Sequence, residues 1–121
     1  MISNEVVDDL EDRITSAVDI REKGNPLLAG GLLTEIINFC YDNCLDVICA
    51  SALGERIVCS KHLFQKEDLQ IYLNQMMADI KKGKTLNIPE SDHAVFYLRH
   101  GDVCSSLGEH AEAECLYYQA H

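Results

Sequence analysis

Proline is nearly missing from this chain of 121 residues, and glycine is sparse. Two prolines and seven glycines are too few for a linker-rich or collagen-like polypeptide. Long apolar runs are missing too. The longest uncharged apolar stretch, residues 25–34, contains Pro26, Gly30 and Gly31 and falls well short of the roughly 18 residues that a membrane-spanning helix needs. The first residues are acidic, without the basic and apolar segments of a secretory signal, so a cytoplasmic protein is expected. Basic residues are scarce: 10 Lys plus Arg face 20 Asp plus Glu, a net charge of -10. Phosphate backbones and anionic lipid surfaces demand a basic face, so neither nucleic acid nor membrane is expected as a partner. No G-x-G-x-x-G, Walker glycine loop, G-x-S-x-G or H-E-x-x-H occurs, and the chain is expected to be no enzyme and to carry no cofactor.

What the chain does hold is 47% apolar residues, enough for the core of one domain. They recur at intervals of three and four, with no sustained period of two, which predicts helices throughout. A first stripe from Val6 to Ile20 ends at Lys23-Gly24, and Asn25-Pro26 opens a second helix as cap and first residue. Asp42 and Asn43 break that one. A third carries Leu45 to Leu63, a fourth runs from about Glu67 to Lys82-Gly83, and a loop over 84–91 precedes a fifth from about Asp92 to Ser106. A sixth starts at Glu109 and is still in register at His121. Turns this short join antiparallel neighbours. The expectation is an all-α single domain of about six helices in three hairpins, near 5–41, 44–82 and 92–121.

Six cysteines are an even count, yet in the cytosol they would stay reduced and pack as small hydrophobes. Cys40 and Cys44, and likewise His100 and Cys104 with His110 nearby, have a spacing that a metal can use. No second knuckle accompanies either set, so buried thiols are the expectation. Cys59 precedes His62 by three residues without any nucleophile signature around it. The acidic cluster Glu5, Asp8, Asp9, Glu11, Asp12 and the basic Lys81, Lys82, Lys84 suit a helix start and a helix end.

Short turns invite a search for internal repeats. Gly24 to Ala29 overlies Gly108 to Ala113: a turn glycine, then alanine five residues on. A small residue lies seven before each glycine (Ala17, Gly101), and a large one four after each alanine (Leu33, Tyr117). Close helix approach needs small residues face to face, so Ala17 should meet Ala29, and Gly101 should meet Ala113. In order and spacing, Tyr97, Gly101, Gly108, Ala113, Tyr117 and Ala120 resemble a tetratricopeptide repeat, with His100 and Cys104 departing from the pattern. The middle hairpin keeps only Leu53-Gly54.

That resemblance implies an α-α superhelix, a solenoid that binds a partner peptide or helix in a concave groove lined by the first helix of each repeat. It places Ile14, Val18 and Arg21, then Ile48, Ser51, Glu55 and Val58, then Val95, Leu98, Arg99 and Asp102 in that groove. Of the family's chaperone carboxylate clamp only Arg99 is matched, since Ile14, Val18 and Val95 stand at the other clamp positions. A non-enzymatic protein-interaction module is the expected function, and a helical regulatory or metal-binding domain serving an enzyme is the alternative. The last helix, with Cys115, Leu116, Tyr118 and Ala120, is expected to expose an apolar flank that a second copy or a further segment covers.

Overall fold

The computed structural model describes residues 2–120, so His121, the last residue of the third predicted hairpin, lies outside it. It is all-α. Six helices follow in order: α1 Asn4–Glu22, α2 Pro26–Asp42, α3 Asp46–Glu67, α4 Gln70–Lys84, α5 Glu90–Ser106 and α6 His110–Ala120. The expected signals start the first two. The Ser3 hydroxyl accepts from the Val6 amide at 3.3 Å, and the Asn25 side chain accepts from Leu28 at 3.2 Å with Pro26 at the first helical position.

Three turns share one geometry. The amides of Asn25, Leu45 and Glu109 each bond to the carbonyl five residues back, those of Ile20, Cys40 and Cys104, at 3.1, 2.9 and 2.8 Å. Such a closure requires one left-handed residue. Gly24 (φ 100°) and Gly108 (φ 79°) adopt that conformation without penalty, whereas Cys44 (φ 57°) does so against its own side chain. The turn between α2 and α3 thus has the geometry of the turn inside each outer hairpin, and the chain stacks helix by helix.

Two boundaries differ from expectation. α3 runs on past Leu63 to Glu67, where the next helix is expected to start, because nothing in 60–67 breaks it. It stops where Asp68 turns left-handed (φ 53°) and donates its amide to Phe64 O. α5 begins at Glu90 instead of near Asp92, as Pro89 supplies an extended cap whose carbonyl accepts from Asp92 and His93. The connection before it is no free loop: Leu86 and Ile88 are buried in the core, and the Asp46 carboxylate accepts from Asn87 N at 2.8 Å.

Each helix packs on its neighbours in sequence. Beyond these, α1 touches α3 and α3 touches α5, while the described residues bring no other pair of helices together. A closed bundle would bring first and last helices into contact; here the stack is open, with the odd-numbered helices along one face. Ala17 and Ala29 are fully buried at the α1/α2 crossing. In the third hairpin the close approach is real but its partner differs: a Cβ on Gly101 would lie 2.6 Å from the Tyr117 ring. Ala113 packs with Cys104 and Leu116 in a small cluster of their own. Gly83 plays the same part for α4 and α5, since a Cβ there would collide with the buried Phe96 ring. Gly54, the expected close-approach residue of the middle hairpin, has nothing within 4 Å of its Cβ position.

The middle of the stack is tied by a polar network. Arg56 on α3 donates through Nε to Asp79 Oδ2 on α4 (2.8 Å), through Nη2 to Asp79 Oδ1, and through Nη1 to Thr34 Oγ1 on α2 (3.0 Å). Gln75 Nε2 adds a bond to Asp79 Oδ1 at 2.9 Å, and the Asp79 side chain is only 2% exposed. A buried carboxylate is tolerated when its charge is opposed and its oxygens are bonded.

Candidate interaction groove

α3 and α5 lie side by side and run in the same direction, and a trough follows the seam between them. Its first compartment, about 320 Å³, is walled by Val47, Ser51, Gly54, Glu55 and Val58 of α3 and by Asp92, Val95 and Arg99 of α5, with Ala50 and Phe96 beneath. Its second, about 390 Å³, continues toward the C-terminal ends of both helices. There Ile57, Lys61, Phe64, Gln65 and Asp68 face Arg99, Asp102, Val103 and Ser106, and the floor is Leu73 and Met76 of α4. Arg99 borders both. The positions advance by three and four along each helix, so each wall is one helical stripe.

Of the predicted groove residues, Ser51, Glu55, Val58, Val95 and Arg99 meet in the first compartment, and Asp102 joins Arg99 in the second. Ile14 does not belong to a groove at all. It shares the Leu10–Ala17 stripe that faces the core and is 7% exposed. Val18 and Ile48 are half-buried, Ile48 against the core, and Leu98 is exposed on α5 outside both compartments. Arg21 is not free for a partner: its Nη1 donates to the Glu55 carboxylate and, at 3.4 Å, to the Glu55 carbonyl, linking α1 to α3.

Arg99 is held differently. Nη1 reaches Asp102 Oδ2 at 3.4 Å, and the Tyr117 hydroxyl of α6 donates to Asp102 Oδ1 at 2.8 Å. The hydrogen bond to Asp102 pushes the Tyr117 phenol above its ordinary range. Arg99 Nε is buried and has no hydrogen-bond partner. An unmet buried donor is uncommon and costs stability unless a ligand or water fills it.

Sequence reasoning missed Val47, Gly54 and Asp92, and all of the second compartment except Arg99 and Asp102. The stripe Ile57, Lys61, Phe64, Gln65 was there to be read, but ending α3 near Leu63 cut it short. The floor on α4 has no sequence signal, because Leu73 and Met76 read as ordinary core positions.

Other candidate centres stay apart. Cys59 is buried, and burial pushes its thiol up despite the neighbouring Arg21, opposite to what a thiolate nucleophile needs, while His62 is exposed. Burial likewise pushes Cys40 up to about 11. Cys40 is buried in α2 while Cys44 is exposed in the turn. Among the described residues no three His, Cys, Asp or Glu side chains converge as metal ligands. Lys84 Nζ lies 2.7 Å from His100 Nδ1 and over the Tyr97 ring at 4.4 Å; desolvation lowers the pKa of both, and Lys84 lowers that of His100 further. On α6, Leu116 is buried, contrary to the expected apolar flank, whereas Cys115 is exposed and Tyr118 is 85% exposed. No described helix is long and apolar enough to cross a membrane. Comparison of the chain with family models, with curated proteins and with solved structures finds no match.

Proposed function

We propose that this chain is a non-enzymatic protein-interaction module that lays an extended segment or helix of a partner along the α3/α5 seam. The observation that carries the reading is the trough itself: two apolar-floored compartments in line, with one arginine between them whose Nε has no bond. Alignment of the odd-numbered helices along one face supports the resemblance to tetratricopeptide repeats, whose arrays bind peptides in this manner. Interfaces mix an apolar centre with a few directed polar groups. Val47, Val58 and Val95 supply the first here, and Arg99 supplies the second. With Arg21 engaged by Glu55, Arg99 is the cation shared by both compartments, and the partner segment is apolar with a carboxylate opposite it. We place such a module in the cytoplasm, on the expectation that its cysteines are free thiols.

A random-peptide display library selected on the protein, with Val58→Asp/Val95→Asp as the counter-selecting variant, tests this. Apolar peptides carrying an acidic residue should be enriched. Arg99→Ala should weaken them about thirtyfold, roughly 2 kcal/mol, at an almost unchanged melting temperature. Peptides that bind wild type and both variants equally would place the interface elsewhere.

A further inference from the structure

We propose that the second compartment, enclosed by α3, α4 and α5, is a binding site for a small organic carboxylate: one compact apolar body bearing one carboxylate group. The inference goes beyond the peptide groove and does not depend on it. Small-molecule sites are concave, largely apolar and about 300–1,000 Å³, with a few convergent polar groups that fix orientation. This compartment, at about 390 Å³, lies at the small end of that range, room for a single ring or a short branched chain.

Its chemistry follows from what its groups already do. Ile57, Leu73, Met76 and Val103 make an apolar interior, and Phe64 closes one side. Methionine adapts its shape to an apolar guest at little cost. Two cations and two carboxylates stand around this interior: Lys61, Arg99, Asp68 and Asp102. Asp102 is engaged on both oxygens, by Tyr117 and by Arg99, and Asp68 lies in the exposed turn at the rim. Lys61 has no salt-bridge partner among the described residues, and Arg99 Nε has no acceptor. The unfilled demand is therefore for an acceptor, and the free ammonium makes an anionic one fit best. A carboxylate at the mouth would take the Lys61 ammonium and the Arg99 guanidinium together, as charge-assisted bonds, while its apolar part covers Leu73 and Met76.

Titration with hydrocinnamate, followed through the methyl signals of Met76 and Val103, tests the assignment. Binding should be on the order of millimolar for so small a probe. Hydrocinnamamide, the same body without the charge, should bind about tenfold more weakly. Lys61→Gln, a change at the rim that leaves the core intact, should weaken the carboxylate and leave the amide alone. Val47→Asp lies in the first compartment only, with no new carboxylate one helical turn from Arg99, and should leave both probes unaffected, so failure of the peptide groove and failure of this site are told apart. Equal binding of acid and amide, an unchanged carboxylate affinity in Lys61→Gln, or shifts confined to the Val47 and Val95 methyls would overturn the proposal.

Discussion

Replacing Asp79 with alanine removes the only carboxylate bonded to the Arg56 guanidinium among the described residues, and the structure sets the size of the effect. Arg56 is 13% exposed and directs Nε and Nη2 at Asp79, so the change strands a charge with little water to receive it. Thr34 Oγ1 still accepts from Nη1, but a neutral hydroxyl cannot oppose a positive charge. Breaking a buried pair from one side costs about 3–5 kcal/mol, a large part of the 5–15 kcal/mol that a domain typically has. Urea unfolding reads this directly. With a slope near 2 kcal/mol per molar, the midpoint should fall by about 2 M. The double variant Arg56→Met/Asp79→Leu removes both charges and fills similar volume, and it should recover most of the loss. The cycle of single and double variants then isolates the coupling. An Asp79→Ala midpoint within about 0.5 M of wild type at unchanged slope would mean that the guanidinium is solvated and the network holds nothing together.

Two helical glycines should respond to alanine with opposite signs. Gly54→Ala meets open space and should gain about 0.5–1 kcal/mol of stability, while Gly83→Ala drives a methyl into the buried Phe96 ring and should lose about 1–3 kcal/mol; the two melting temperatures check both. Stability should also fall as the solution is acidified through the histidine range. The His100 pKa is lowered by desolvation and by Lys84, so below about 6.5 the unfolded chain takes up the proton more readily than the folded one. The stabilising difference is present above that pH and is lost as the pH drops toward the lowered folded value. His100→Gln should flatten the slope of melting temperature between about pH 7 and 5, and an unchanged slope would assign it to other groups.

The helices were legible because burial imposes a period of three to four, and Leu10, Ile14, Ala17 or Leu33, Ile36, Ile37, Cys40 show it plainly. Turns were legible where glycine announced them, at Gly24 and Gly108. Asp68 forms a left-handed residue with no such announcement, and that concealed the last turn of α3 and every groove residue on it. Half of the candidate site was readable from the stripe Ser51, Glu55, Val58. The rest depends on tertiary facts: whether Arg21 meets Glu55, whether α4 shows through the seam, and which way Ile14 points. Helical periodicity says that a residue is on a face, and only packing says what that face meets. Arg56 and Asp79 illustrate the same limit, for nothing in their separate surroundings marks them as partners.

The last helix rests on α5 alone, over a cluster of its own. Proteins open in units, and the unit with least buried surface opens first. If α6 lifts away, Tyr117 goes with it and Asp102 Oδ1 loses its hydroxyl donor. That carboxylate is then free to neutralise Arg99 more fully from a neighbouring turn of α5. If the proposed groove takes an acceptor, docked α6 would keep the arginine only partly satisfied, and undocked α6 would quench it. On that proposal, docking and recognition would form one linked equilibrium. Any ligand that prefers the unquenched arginine holds the end of the stack closed by mass action, and the protection of α6 amides against hydrogen exchange becomes a gauge of occupancy on the opposite side of α5.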